Sequence, residues 1–240
     1  MSRGALLTGM AGGIIGTITA IIGIMWSIVA YQCFTSISQA KISATIYSFI
    51  IGPWLAVPSV IQPIETYFLI FLVASIILVI FLVLTGILVG VGFYGVSTLG
   101  GGGMGVVALI FSSIGCVGAG FLIILGNMIH TTEYMLIFDF PFNPASFRFG
   151  SISVPNFQTI GTGFLILGAT IIILGIANIV MRDSTTMPTA SKATGIISII
   201  GACFFLLGAL NLPILYIIGF IIMLIVSILW AVVFYSTGQL

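Results

Sequence analysis

Residues 194–235, TGIISIIGACFFLLGALNLPILYIIGFIIMLIVSILWAVVFY, carry no charged side chain, and only the NLP at 211–213 interrupts their apolar run. One helix of that length would measure about 60 Å, twice the hydrocarbon thickness of a bilayer. The stretch therefore has to fold as two membrane spans, turning at Asn211 and Pro213.

The rest of the chain obeys the same constraint. Of its 240 residues, 60% are hydrophobic and 4% charged, against roughly 25% charged in an ordinary soluble domain. Hydropathy places spans at about 5–31, 66–96, 104–129, 158–181, 194–210 and 213–235, leaving sizeable loops only at 32–65 and 130–157. The expected fold is all-α, a single polytopic transmembrane bundle of six helices over residues 1–240. Segment 43–64, SATIYSFIIGPWLAVPSVIQPI, is apolar enough to enter the membrane, but Pro53, Pro58 and Pro63 disturb a helix there. It is read as interfacial or re-entrant, with a seventh span as the competing assignment. The first span outruns the roughly 7–15 apolar residues of a signal peptide and is expected to be retained.

With the N-terminus inside, Arg3, Arg182 and Lys192 are cytoplasmic and Lys41 and Arg148 external, a three-to-two bias toward two cytoplasmic termini. Trp26, Tyr67, Tyr134 and Tyr216 then fall at outer span ends, and Tyr94, Trp230 and Tyr235 at inner ends, as interfacial belts do. In the second outer loop, MLIFDFPFNPASFRFGSISV alternates around Pro141 and Pro144 and predicts a small β-hairpin on the outer surface.

Helices in lipid associate by close packing, which small residues permit. Gly161, Gly168 and Gly175 recur every seven residues, as do Gly16 and Gly23, and Gly201 and Gly208. GxxxG pairs occur at Gly12/Gly16 and Gly86/Gly90. A seven-residue repeat keeps one stripe on one helix face, so these glycines are expected where neighbouring helices touch. The run STLGGGGMG at 97–105 lacks the GK[ST] ending of a phosphate loop. It reads as a tight, uncharged inner turn in which glycine permits positive φ and which lies against another helix or subunit.

The spans hold no ionisable carboxylate or base, so proton relays and voltage sensing lose support. One histidine cannot hold a haem between two, and no cluster suits a di-iron or copper centre. Cys33, Cys116 and Cys203 have neither metal nor disulfide spacing and read as packing residues. No catalytic, cofactor-binding or metal residue is assigned, and five scattered basic residues give no footprint for nucleic acid. The remaining polar set is external: His130, Glu133, Asp139 and Arg148, with Glu65 and Lys41. His130 and Glu133 would share a helical face at the end of the third span. Two ligands are too few for a closed zinc site, and the set is read as a loop anchor or a contact with a partner.

These observations point to a non-catalytic accessory subunit packing with other membrane subunits and lipids. The alternative is a small channel or permease for a neutral or lipid-like solute. A lipid-acting enzyme has only His130 behind it.

Overall fold

Lipid offers no hydrogen bonds to a backbone, so a chain this apolar satisfies its amides and carbonyls within helices. The computed structural model describes the backbone of residues 2–50, 53–138, 147–209 and 213–239, and the side chains of 3–35, 68–100, 102–131, 154–209 and 214–239. Its helices are α1 (Ser2–Ile50), α2 (Pro53–Val96), α3 (Met104–Met128), α4 (Phe157–Val180), α5 (Pro188–Gly208) and α6 (Pro213–Thr237). The 6 segments Arg3–Thr35, Phe68–Gly100, Met104–Met128, Phe157–Val180, Pro188–Gly208 and Ile214–Thr237 are each long and apolar enough to cross a membrane. The protein is a multi-pass membrane bundle.

The break near Pro213 separates α5 from α6, as the length of 194–235 requires; Asn211 itself lies outside the described residues. The span expected at 194–210 is the later part of a helix that begins at Pro188. Proline at a first helical position gives up no bond and presets φ.

Segment 43–64 corrects the sequence reading. It supplies neither a seventh span nor a separate re-entrant element. Residues 43–50 complete the 49-residue α1, and 53–64 begin the 44-residue α2. Pro53 stands at the first position of α2, where no intrahelical bond is lost. At 1.5 Å per residue, α1 and α2 run about 73 and 66 Å, well beyond a 30 Å hydrocarbon core.

Each helix packs on its sequence neighbours, and α6 returns to α1, closing the six into a ring. An even number of crossings brings both chain ends to one end of the ring, where Leu6 and Gly238 are neighbours. At the opposite end, β1 (His130–Phe138) pairs antiparallel with β2 (Phe147–Pro155), from His130↔Pro155 to Phe138↔Phe147. This is the hairpin expected around Pro141 and Pro144, two residues outside the described ones, and its strands rest on α1 and on α2 and α3.

The glycine stripes fall at helix contacts. A Cβ added at Gly168 or Gly175 of α4 would meet Leu206 and Ala202, or Gly195, of α5, and one at Gly161 would meet Ala209, which caps that helix. Gly86 and Gly90 of α2 face Cys116, Ser112 and Leu109 of α3. Gly12 meets the α2 backbone at Leu88 and Val89, Gly16 sits between Thr85 and Ser227, and Gly23 lies under the Phe220 ring. Gly201 and Gly208 face Ile222 and Tyr216 of α6.

Between α2 and α3 the turn contains a π-helical segment, Ser97–Gly101, with Gly100 at φ 116° and Gly102 at φ 63°. The segment touches the Arg182–Ser184 turn. A Cβ on Gly100, Gly102 or Gly103 would nevertheless meet nothing within 4 Å, so the tip of the turn is open instead of lying against a helix.

Of the aromatic residues expected in belts at the span ends, the side chains of Tyr67 and Tyr134 lie outside the described ones, and the other five divide. Tyr94 and Tyr235 are exposed, but Trp26, Trp230 and Tyr216 are buried, at 1%, 2% and 5% of their surface. They fill the ring instead.

Candidate functional site

One cavity, of about 50 Å³, lies on the axis of the ring, and all six helices line it. Helical periodicity builds its wall. Leu82, Thr85, Gly86 and Val89 of α2 repeat at i, i+3, i+4 and i+7, as do Leu167, Thr170, Ile171 and Leu174 of α4. The face of α6 presents Phe220, Met223, Ser227 and Trp230. From α1 come Gly16, Thr19 and Ala20, with Cys116 of α3 and Phe205 of α5 completing the circuit.

The wall is apolar except for four hydroxyls and one indole. Thr19, Thr85 and Thr170 donate to backbone carbonyls one turn back, those of Ile15, Phe81 and Ile166, at 2.9, 2.8 and 2.9 Å. Thr19 Oγ1 also lies 2.7 Å from Thr85 Oγ1. Trp230 Nε1 is buried and has no hydrogen-bond partner among the described residues, a state that costs about 1–3 kcal/mol.

Aromatic layers lie toward both ends of the cavity. Toward the hairpin, Phe164 stacks on Tyr216 with centroids 4.2 Å apart and lies 5.0 Å from Trp26, while Phe205 and Phe220 meet edge to face at 4.9 Å. Behind this layer a polar knot ties three helices. Trp26 Nε1 donates to Ser75 Oγ (2.7 Å), Asn127 Nδ2 donates to the same oxygen (3.1 Å), and Ser75 donates to Phe71 O (2.8 Å). Toward the termini, Phe93 meets Trp230 and Phe234 edge to face at 6.1 and 5.4 Å.

The chain matches no known protein family, no curated protein and no solved structure. Its function has to be argued from the site alone.

The external polar set is not assembled as its spacing suggested. His130 opens a β-strand instead of ending α3, so the helical i, i+3 pairing with Glu133 does not form. His130 is exposed, its Nδ1 3.1 Å from the carbonyl oxygen of Met128. The register places Glu133 opposite Ile152 and Arg148 opposite Ile137, which separates them by four residues, about 13 Å of strand. Asp139 lies outside the described residues. Lys41 and Glu65 belong to α1 and α2. Among the described residues no three His, Cys, Asp or Glu side chains converge.

The cavity is what sequence reasoning missed. Its signal was present: Thr19, Thr85, Thr170 and Ser227 are hydroxyl residues within apolar helical faces. Three of them bond their own helix, which is the ordinary role of such residues in a span, and nothing in the spacing separates a lumen-facing hydroxyl from any other.

Proposed function

We propose that this chain is a small permease or channel that passes an uncharged solute along the axis of its ring. The observation that carries this reading is an axial cavity lined by all six helices, with an aromatic layer toward each end. Transporter sites lie near the membrane midplane, between gates that open in turn. A wall of hydroxyls, an indole and hydrocarbon solvates a neutral molecule far better than an ion. In this reading Arg3, Arg182 and Lys192 hold the terminal end at the cytoplasmic face, in line with the bias of basic residues.

Stopped-flow light scattering on proteoliposomes tests it. Vesicles containing the protein should equilibrate water, methanol, formamide or glycerol faster than protein-free vesicles of the same lipid. Equal rates for all four would overturn the proposal.

A second reading, an accessory subunit of a larger membrane assembly, is favoured by the reach of α1 and α2. At 49 and 44 residues both helices are longer than one crossing needs, and both lie against the β-hairpin. Such an extension suits contact with a partner outside the bilayer. Purification in mild detergent tests this role, and a chain that always isolates as a lone monomer excludes it.

A further inference from the structure

Hydrocarbon makes up nearly all of the lining of the central cavity. Its hydroxyl oxygens sit in the seams between helices. Thr19 and Thr85 share their two protons with each other and with the carbonyls of Ile15 and Phe81, where α1 crosses α2. Thr170 donates to Ile166 O at 2.9 Å, and its Oγ1 packs against Gly115 of α3. Ser227 Oγ lies against Gly16 of α1, where an added Cβ would stand 2.8 Å from it. A water molecule cannot touch Trp230 Nε1, so the indole borders the cavity with ring carbon.

Volume and wall chemistry together limit what such a space holds. A water requires about 10–15 Å³ and two to four polar partners, whereas an apolar cavity of about 150 Å³ stays dry and takes benzene or xenon. At about 50 Å³ this one has room for water, but the protons of Thr19, Thr85 and Thr170 are already given to carbonyls. By the benzene standard of about 25 Å³ per carbon, it suits a guest of about two non-hydrogen atoms. The residues that line it are buried, except Thr85 and Met223. No ionisable carboxylate or base is among them, and an unpaired ion there would be expensive.

We propose that the central cavity is a dry binding site for one small apolar molecule, of the size of xenon or a two-carbon hydrocarbon. Gly16 and Gly86 leave open the room that side chains would fill, and the sulfur atoms of Cys116 and Met223 add polarizable surface to the aliphatic and aromatic wall. A wall with nothing against it forfeits its dispersion contacts, and a guest restores them. The site rests on the same cavity as the transport reading, but occupancy does not require passage. It narrows that reading to solutes that present carbon to the wall.

Methyl-¹³C labelling of the nine methionines, with the Met223 signal assigned by its loss in Met223→Leu, gives a direct readout in detergent. Met223 lines the cavity near the middle of α6, whereas Met25 and Met128 are 64% and 68% exposed. Under xenon the Met223 methyl should shift and saturate. Met25 and Met128 report xenon dissolved in the micelle and should shift in proportion to pressure. Ala20→Val adds two carbons to the wall, about the whole volume of the site by the same standard, and should abolish the saturable shift. No magnetisation should pass from water to the Met223 methyl. In the unsubstituted protein, a Met223 shift that is absent or merely proportional to pressure, or water transfer to Met223, overturns the site. So does a saturable shift that persists in folded Ala20→Val. Saturable xenon binding without vesicle flux leaves this site standing and removes the transport reading; flux without saturable binding at Met223 does the reverse.

Discussion

Thr19 Oγ1 and Thr85 Oγ1 lie 2.7 Å apart where α1 crosses α2 at the wall of the central cavity. Each residue also reaches the carbonyl of Phe81, at 3.2 and 2.8 Å, and Thr19 that of Ile15 at 2.9 Å, so four oxygens share two hydroxyl protons. Interhelical hydrogen bonds in membranes average about 0.6 kcal/mol in double-mutant cycles, because polar groups in the unfolded state find partners too. A cycle of Thr19→Val, Thr85→Val and the pair, followed by unfolding in SDS-containing mixed micelles, should give a coupling of about that size. A coupling indistinguishable from zero would mean the close approach contributes no energy.

Two glycines one helix apart should respond to alanine with opposite signs. At Gly175 a Cβ would sit 2.7 Å from Gly195 O and 2.8 Å from Ile199 Cγ1, whereas at Gly118 it would meet nothing within 4 Å. Alanine gains up to about 1 kcal/mol of helix propensity over glycine, and overpacking a filled contact costs about 1–3 kcal/mol. Gly118→Ala should therefore raise the thermal midpoint in detergent and Gly175→Ala should lower it. Midpoints that move together would show that the α4–α5 contact yields without strain.

These glycines also mark where the sequence was readable. Apolar length sets α3, α4 and α6 within a few residues, since backbone in lipid has few other options, and alternation around Pro141 and Pro144 is a local signal of the hairpin. The stripe Gly161, Gly168 and Gly175 is local as well, its identity as a contact face following from period alone. Ring closure is different. The contact of α6 with α1 joins opposite ends of the chain, and no local pattern encodes it. Helices that are apolar on every side give little indication of which side faces inward. Trp26 and Trp230 therefore look like belt residues by their depth, although their direction around the helix buries both. Ser227 went unrecognised for the same reason. His130 and Glu133 misled because Met128 ends α3 two residues before the spacing could act.

Ser75 should be costly to remove for its size. Its oxygen accepts from Trp26 Nε1 and Asn127 Nδ2 and its hydroxyl donates to Phe71 O, so one small side chain completes its full set of hydrogen bonds among α1, α2 and α3. Ser75→Ala strands the Trp26 donor, and each buried unpaired group costs about 1–3 kcal/mol. Ser112→Ala is the reference, since Ser112 bonds only the carbonyl of Leu109 on its own helix, at 3.2 Å. Unfolding in mixed micelles should find Ser75→Ala the more destabilising by at least 1 kcal/mol or so. Equal losses would mean the three-helix knot contributes no more than a local bond.

Phe164 is the centre of the aromatic layer at the hairpin end, touching Trp26, Tyr216, Phe205 and Phe220 while fully buried. If that layer is a gate, thinning it should speed passage without dismantling the bundle. Phe164→Ala is a poor test, because deleting a buried phenyl costs about 3–5 kcal/mol. Phe164→Leu keeps a large apolar side chain, and swaps of this kind cost closer to 1.5 kcal/mol. The Leu variant should fold, with a thermal midpoint only a few degrees lower, and should equilibrate the permeant solute several-fold faster in the stopped-flow vesicle assay. Phe93→Leu should act likewise at the terminal end, where Phe93 packs on Trp230 and Phe234. Solute rates unchanged in both variants, with the protein folded and inserted, would mean that neither layer obstructs the path.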